Sequence, residues 1–229
     1  MFKYQMHLHT SACSACARST AAEMVQKLAE LGYAGAVITN HFYHGNTSID
    51  RHSRWEDFLE HYKQDYLTAR KLGRELGVDI LFGIEEVYER GKEALIYGLE
   101  PEDLIYEPSF LNMEISEMSD FVRQKGGFIA CAHPFRVRSY IPDPDRDPNP
   151  AYFDGVEVFN YCNPPEENQK AVEYAARHGL APISGGDVHH TDGLGMAGLA
   201  FESRIQNGVE LVAALKSRDY RLIVGEDIV

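Results

Sequence analysis

Residues 1–10, MFKYQMHLHT, join a short segment of alternating apolar residues to two histidines. The alternation predicts a β-strand at residues 2–8, and in a strand the side chains at positions i and i+2 point to the same face. His7 and His9 can therefore bind one metal ion together where this strand ends. Two histidines at this spacing can also be packing or surface residues, so the other strand ends are needed to decide between these interpretations.

Strand-like segments alternate with helix-like segments along the rest of the chain. Strands are predicted at residues 2–8, 35–39, 79–85, 94–99, 128–132, 155–159, 181–184 and 221–224, and helices at 21–31, 55–76, 114–125, 164–178 and 208–217. This order predicts an α/β fold with a parallel sheet, which is either a closed barrel or an open, doubly wound sheet. No linker divides the pattern, so we expect a single domain over residues 1–229.

The composition excludes several classes of protein. The 229 residues are 44% hydrophobic and 25% charged, which is typical of a globular chain, and the net charge is −13. Duplex nucleic acid is an unfavourable partner for an acidic surface. No apolar segment reaches the roughly 20 residues of a membrane helix, and the N-terminus lacks a signal-peptide core, so we expect a soluble, cytoplasmic protein. These features give no prediction of oligomeric state.

Metal-binding residue types follow almost every predicted strand. These residues are His7 and His9, His41, Glu85 or Glu86, His133, and Asp187 with His189. In α/β barrels the carboxyl ends of the strands form the active site, so we expect these side chains to converge there. Only one of Glu85 and Glu86 can face the barrel interior, because neighbours in a strand alternate. The mixture of imidazole and carboxylate ligands favours Zn, Mn or Fe.

Five short motifs give the chain a resemblance to a known family. They are His-x-His-Thr at residues 7–10, Thr-Asn-His at 39–41, Gly-x-Glu at 83–85, Ala-His-Pro at 132–134 and Gly-Asp-x-His at 186–189. In this content and order the chain resembles the PHP (polymerase and histidinol phosphatase) family of metal-dependent phosphoesterases. The resemblance implies a distorted (β/α)7 barrel with its active site at the carboxyl ends of the strands and with two or three divalent transition metals.

The resemblance also implies metal ligands, position by position. The first metal would be bound by His7, His9, Glu85 and Asp187. The second would be bound by His41 and His189, and Glu85 and His133 would face the third. The Gly-x-Glu motif selects Glu85 over Glu86.

The chain departs from the family pattern at four positions. Gln5 and Asn40 stand where many members have an acidic residue. Cys16 is the candidate substitute for a ligand of the second metal, although the Cys13–Cys16 spacing also fits plain loop packing or a redox pair. Leu95 stands where a histidine ligand of the third metal is often found, which puts occupancy of that site in question.

The resemblance implies hydrolysis of a phosphate ester by metal-activated hydroxide. Catalytic candidates are Asp187, His189 and Arg136, and His189 is one source of a proton for the leaving oxygen. Phosphate-binding candidates are Arg136, Arg18, Arg138 and His44, because arginine pairs well with phosphate oxygens. The acidic surface favours a small substrate such as histidinol phosphate or a nucleotide-like monoester.

Two other functions fit the same sequence. A phosphodiesterase or nuclease of the same family would use the same ligands on a larger substrate. A degenerate, non-catalytic ligand-binding domain is suggested by Gln5, Asn40 and Leu95. The Pro- and Asp-rich segment at residues 142–150 is predicted to be an extended loop, which is either a solvated connection or a lid over the pocket.

Overall fold

The computed structural model describes residues 1–229, which form a mixed α/β fold around one ten-stranded sheet. The strands are β1 (Phe2–Gln5), β2 (Gly35–Ile38), β3 (Asp79–Glu89), β4 (Lys92–Tyr97), β5 (Phe128–Cys131), β6 (Gly155–Asn160), β7 (Ala181–Gly185), β8 (Ala197–Phe201), β9 (Arg221–Val224) and β10 (Asp227–Ile228). The helices are α1 (Ala21–Glu30), α2 (Trp55–Leu76), α3 (Pro101–Ile105), α4 (Ile115–Gln124), α5 (Pro165–His178) and α6 (Gly208–Ser217).

The strand order in the sheet is β10-β9-β8-β1-β2-β3-β4-β5-β6-β7. Strands β1 to β3 are parallel to one another, and so are β5 to β7. Strand β4 lies between these two groups and is antiparallel to both of its neighbours. The amino end of β4 therefore lies at the same edge of the sheet as the carboxyl ends of β3 and β5.

The sheet is curled into a half-barrel, which brings β7 towards β8 and β9. The hydroxyl of Ser184 on β7 donates to the carbonyl of Ile223 on β9 at 2.5 Å and accepts from the amide of Gly198 at 3.2 Å. Beyond β1 and β7, Leu8 and Val188 form an isolated parallel bridge. The first and the last metal-binding motifs are therefore neighbours in space.

Two hydrophobic cores result from this curl. Inside it lies a cluster of 17 buried residues, among them Tyr4, Leu95 and Tyr97, which fills the half-barrel as side chains fill other barrels. Between the sheet and the helices lies a larger cluster of 41 buried residues. Helix α1 begins with the capping box that Thr20 and Glu23 predict, and its buried residues include Met24, Val25 and Leu28.

The structure corrects the predicted topology in two places. Strict alternation of strand and helix is wrong for the middle of the chain, because β3 and β4 form a hairpin and β4 pairs antiparallel with β5. Strand β4 also begins at Lys92, two residues before the predicted start, and the sheet extends beyond β1 through β8, β9 and β10, of which only β9 was predicted. A distorted barrel is the architecture of PHP proteins, and the curled sheet agrees with it at that level.

The loop at residues 142–150 does not line the central cavity. Its acidic residues instead contact helix α5: Asp145 lies 2.7 Å from Lys170 and Asp147 lies 3.3 Å from Arg177. The hydroxyl of Tyr174 on α5 donates to the carbonyl of Pro148 at 2.7 Å. The segment is therefore attached to the outside of the barrel, and of the two interpretations of the loop the structure supports the connection.

Candidate metal centre

Four side chains meet at the carboxyl edge of the sheet with their donor atoms in direct contact. Nε2 of His7 lies 3.1 Å from Oε1 of Glu85 and 3.5 Å from Oδ1 of Asp187. Nε2 of His9 lies 3.4 Å from Oε2 of Glu85 and 3.3 Å from the same Oδ1 of Asp187. Ligands about 2.0–2.2 Å from one ion lie at about these separations from one another. The structure thus brings together the residues predicted for the first metal.

A carboxylate orients the imidazole of His7. Its Nδ1 donates to Oε1 of Glu157, 2.8 Å away on β6, because a carboxylate can only accept. This bond leaves Nε2 facing Glu85 and Asp187, which is the usual arrangement for a metal-binding histidine. Gly185 makes room for the pair, since a Cβ there would lie 2.1 Å from the Glu157 oxygen and 2.7 Å from Cβ of His7.

A longer chain of hydrogen bonds orients His9. Its Nδ1 lies 3.1 Å from Oγ of Ser14, and the Ser14 hydroxyl donates to Oδ1 of Asn40 at 2.9 Å. The amide nitrogen of Asn40 then donates to the carboxylate of Asp65 on α2 at 3.0 Å. Asn40 must both accept and donate in this chain, which explains why an amide stands at a position where many PHP proteins have an acid: here the negative charge is supplied by Asp65.

A second group of possible ligands consists of His9, His41 and His189, whose nitrogens lie within 4.8 Å of one another. Cys16 lines the same cavity. Burial opposes ionisation of its thiol, but the imidazoles of His189 and His41 beside it outweigh burial and lower the pKa of Cys16 to about 6. Cys13, in contrast, is buried, and burial and Asp65 raise the pKa of its thiol. The two cysteines therefore occupy different environments.

A third group forms where the hairpin of β3 and β4 approaches β5. Nε2 of His133 lies 3.1 Å from Oε1 of Glu85 and 3.4 Å from Oε2 of Glu93. Nδ1 of His41 lies 2.8 Å from Oε2 of Glu85 and 3.5 Å from Oε1 of Glu93. Glu85 thus contacts all three groups, whereas Glu86 points elsewhere and accepts from the amide of His44 at 3.0 Å.

Backbone strain is concentrated at this edge of the sheet. His133 and Asp187 adopt φ angles of +25° and +50°, which residues other than glycine seldom adopt. Such conformations persist where the surroundings enforce them, and they are most frequent at functional sites. Gln5 contributes to that enforcement, because its Oε1 accepts from the amides of His7 at 3.2 Å and Gly186 at 2.9 Å. Gln5 thus links the two strand ends without adding a charge.

The buried acids and imidazoles strongly perturb one another. Burial alone would lower the pKa of His7, but Glu157, Glu85 and Asp187 raise it well above its ordinary value. Burial would raise the pKa of Asp187, but His7 and Arg136 hold it well below the usual range. Burial and the neighbouring Glu85 raise the pKa of Glu93 to about 7. Clusters of this kind are typical of functional sites.

Arg136 is buried and already paired with the protein. Its Nη2 lies 2.5 Å from Oδ2 of Asp187 and donates to Oδ1 of Asn160 at 3.1 Å, and its Nε donates to Oδ1 of Asn163 at 2.8 Å. It also lines the cavity. The guanidinium therefore holds one oxygen of Asp187 and leaves the other towards His7 and His9.

The other predicted phosphate-binding residues are spread more widely. His44 lines the cavity and lies 3.4 Å from Glu86. Arg18 is exposed, and Arg138 lies 3.7 Å from Glu167 on α5; neither lines the cavity. The cavity itself has a volume of about 660 Å³ and opens over His41, Asp187 and His189. Its outer wall includes Arg90 and Tyr140, which the sequence analysis did not single out.

The donor atoms fit divalent metal ions. Nε2 of His7, Nε2 of His9, Nδ1 of His41 and Oε2 of Glu85 are all buried and have no hydrogen-bond partner. Unpaired polar atoms are costly in a protein interior, and here they point at one another around common centres. Histidines and carboxylates in this arrangement are suited to transition metals.

Three residues of the centre were missed in the sequence: Glu93, Glu157 and Asp65. Glu157 and Asp65 are each an acid within an apolar pattern. Glu157 interrupts the buried strand GVEVF, and Asp65 lies on the apolar stripe of α2 beside Tyr62 and Tyr66. A buried charge is informative because it needs a partner. Glu93 was missed for another reason, since strand β4 was predicted to begin after it.

Two sequence comparisons with known proteins each match part of this chain. The family model described as PHP-associated matches residues 165–220, which include Asp187 and His189. An uncharacterized protein of Methanocaldococcus jannaschii, MJ0417, is 35% identical over 96 residues; the match covers 39% of this chain and 40% of that protein.

Two solved structures share the fold over nearly the whole chain. A two-domain protein of Bacteroides vulgatus, which contains a predicted PHP-like metal-dependent phosphoesterase, superposes with a TM-score of 0.68 at 14% identity over 99% of this chain and 66% of its own. The lesion-specific endonuclease PfuEndoQ of Pyrococcus furiosus superposes with a TM-score of 0.66 at 13% identity, over 94% of this chain and 56% of its own.

The matched family model and the Bacteroides vulgatus structure both carry a PHP description, which agrees with the resemblance of the five sequence motifs to the PHP family. This chain spans 66% of the Bacteroides vulgatus protein and 56% of PfuEndoQ, and the match to MJ0417 covers 40% of that protein. No helix of the protein combines the length and the apolar character needed to cross a membrane.

Proposed function

We propose that the protein is a metal-dependent phosphatase that hydrolyses a small phosphate monoester, with residues 1–229 acting as one catalytic domain. The observation that carries this proposal is the contact of His7, His9, Glu85 and Asp187 through donor atoms 3.1–3.5 Å apart, two of them buried nitrogens without a hydrogen-bond partner. Histidinol phosphate and nucleotide-like monoesters are the first substrates to test.

Three groups of side chains would bind the cations, which are Zn, Mn or Fe. The first consists of His7, His9, Glu85 and Asp187. His41, His189 and Cys16 form the second, and His133 with Glu85 forms the third. Bound divalent cations supply hydroxide at neutral pH and neutralise the phosphoryl oxygens.

The protein's own residues orient the ligands and bind the ester. Glu157 fixes His7, and Arg136 fixes Asp187 through Oδ2. The face of Arg136 that lines the cavity would bind a phosphoryl oxygen without releasing Asp187, which combines the catalytic and phosphate-binding roles predicted for it. Arg18 and Arg138 lie outside the cavity and are proposed to have no part in binding the ester.

His189 has one ring nitrogen free for function, because its Nδ1 donates to the carbonyl of Asp187 at 2.8 Å. The remaining nitrogen, Nε2, can either bind a cation or deliver a proton, but it cannot do both. Because His189 lies close to His9 and His41, we favour cation binding for it. We assign proton delivery to His44 instead. It lines the cavity, and its contact with Glu86 raises its pKa, so that it keeps a proton for the leaving oxygen.

The similarity of the fold to that of the endonuclease PfuEndoQ favours a second candidate function, which is hydrolysis of a phosphodiester in nucleic acid. The net charge of −13 supports the small substrate over the polyanion. A cytoplasmic location stays a prediction from the sequence.

A phosphate-release screen separates these functions. The protein, reloaded with Zn, Mn or Fe after treatment with a chelator, is given monoesters, diesters and single- and double-stranded oligonucleotides. We expect monoesters to be hydrolysed, Asp187→Asn to abolish turnover and Lys216→Gln, a substitution on helix α6 outside the cavity, to leave it unchanged. Cleavage of diesters alone would favour the nuclease, and inertness with every metal would favour a non-catalytic binding domain.

A further inference from the structure

The third group of ligands lacks the histidine that the family often places at position 95. Leu95 is fully buried in the inner hydrophobic core and pairs across the hairpin with Glu85. Its side chain offers no donor atom. Leu95 therefore cannot be a ligand of a cation between Glu85 and His133, and another residue has to complete that site.

Glu93 lies two residues earlier on β4, so its side chain points to the same side of the sheet as that of Leu95. Its two oxygens reach two different histidines: Oε1 is 3.5 Å from Nδ1 of His41, and Oε2 is 3.4 Å from Nε2 of His133. The carboxylate thus spans the gap between residues that follow β2 and β5.

The carboxylates of Glu85 and Glu93 form ion pairs with histidines and with no lysine or arginine. Lys92, the neighbour of Glu93, donates to the carbonyl of Pro134 at 2.7 Å, and Arg136 is paired with Asp187. At the same time, Nδ1 of His41 and Oε2 of Glu85 face each other at 2.8 Å, and each lacks a hydrogen-bond partner although both side chains are nine-tenths or more buried. A cation would stabilise this group, in which the fully buried carboxylate of Glu85 and the partly exposed carboxylate of Glu93 surround unpaired atoms together with two imidazoles.

We propose that Glu93 is a metal ligand, which completes a cation site with Glu85 and His133 and takes the part of the histidine absent at position 95. The inference rests on the proposed function only in assuming that the centre binds metal. A second carboxylate makes this site richer in oxygen than a histidine at position 95 would, which favours Mn²⁺ there over Zn²⁺.

The antiparallel direction of β4 makes this placement possible. The parallel strands present their carboxyl ends at the mouth of the half-barrel, whereas β4 presents its amino end, so that Glu93 is at the mouth and Leu95 is one step deeper. A carboxylate at the first inward position of β4 therefore lies nearer the mouth than any side chain at position 95.

The test is metal content, measured apart from activity. The full-length protein and its Glu93→Gln variant are stripped with a chelator, reloaded with Mn²⁺ and assayed for bound manganese by mass spectrometry and for free Mn²⁺ by electron paramagnetic resonance. Glu89→Gln is the matched control, because Glu89 lies on the same hairpin but pairs with Arg146 outside the centre. We expect Glu93→Gln to lose one equivalent of manganese, or to bind its weakest ion at least about tenfold less tightly, and Glu89→Gln to match the parent.

Unchanged manganese content and affinity in Glu93→Gln would overturn the proposal. A double variant, Glu93→Gln with Leu95→His, covers the case in which the single variant folds poorly: recovery of the lost equivalent supports the proposal, and failure to recover it in a folded protein contradicts it. Because the readout is bound metal, a protein that hydrolysed no phosphate ester could still confirm the role of Glu93.

Discussion

Two histidines on one strand end, His7 and His9, are held from opposite sides by different chemistry. His7 donates directly to the carboxylate of Glu157 at 2.8 Å, in the half of the sheet formed by β5 to β7. His9 reaches a carboxylate only through Ser14 and Asn40, with Asp65 at the far end on α2. We refer to these arrangements as the His7 side and the His9 side.

The different partners of His7 and His9 show how negative charge is distributed in the centre. A carboxylate in direct contact makes an imidazole more basic and a stronger ligand, whereas a hydroxyl orients the ring with little effect on its charge. The pKa values agree: burial opposes protonation of both rings, yet Glu157, Glu85 and Asp187 raise the pKa of His7, while burial and the nearby His41 lower the pKa of His9. The strand end thus carries one strong and one weaker base.

Removal of the charge on the His7 side should have the largest effect. Glu157→Gln keeps the shape of the side chain but replaces its carboxylate, so we expect metal affinity of the first site to fall about 10–100-fold. Competition with a chromophoric chelator measures this affinity. Glu173→Gln, on the outer helix α5, is the control. An affinity within twofold of the parent would mean that Glu157 only fills space.

A single added negative charge at position 40 should disrupt the hydrogen-bond chain on the His9 side. Asn40→Asp removes the donor to Asp65 and places two buried carboxylates together, so we expect the free energy of unfolding to fall by about 1–3 kcal/mol. Adding Asp65→Asn restores a donor to the pair and should recover most of the loss. Urea unfolding of both variants measures this, and equal losses in the single and double variants would contradict the hydrogen-bond chain.

A milder change on the His9 side should have a smaller effect. Ser14→Ala removes the hydroxyl that links His9 to Asn40, and we expect a loss of about 1 kcal/mol in stability and less than tenfold in metal affinity. Ser11→Ala, in the same loop, is the control. A larger loss of metal affinity in Ser14→Ala than in Glu157→Gln would reverse the proposed ranking of the two sides.

The two sides should also differ in their response to pH. His7 has a raised pKa, so its proton stabilises the metal-free fold below the ordinary pKa of histidine, and this contribution is lost as the pH rises through the raised value. Metal binding must displace that proton, so metal affinity should increase with pH. Calorimetry in buffers of different ionisation enthalpy counts the protons released; we expect about one fewer in Glu157→Gln and no change in Ser14→Ala.

Much of the centre could be predicted from the sequence because parallel strands obey a simple rule. Their carboxyl ends meet at one edge, so His7, His9, His41, His133 and Asp187 could be placed together from the strand pattern alone. Alternation within β3 also separates Glu85 from Glu86 correctly.

The remainder depends on contacts that no local pattern encodes. The antiparallel course of β4 brings a strand's amino end to the mouth, and only the pairing of β4 with β3 and β5 reveals that. Likewise, Asp65 supplies the negative charge that Asn40 lacks, and it lies on a helix 25 residues further along the chain. Only tertiary packing brings Asp65 into contact with Asn40. The pairing of Arg136 with Asp187 is of the same kind, because it joins loops that follow different strands.

The bond between Gly186 and Gln5 joins residues 181 positions apart, and it has a consequence for biosynthesis. At about 5–20 residues per second, the ribosome releases the first histidines roughly 10–40 s before the aspartate that completes their site. During that interval the nascent chain carries exposed imidazoles with no partner carboxylate from the last strand. The four ligands proposed for the first metal are therefore all present only after residue 187 has been synthesised, so a complete first site would form late in the synthesis of the chain.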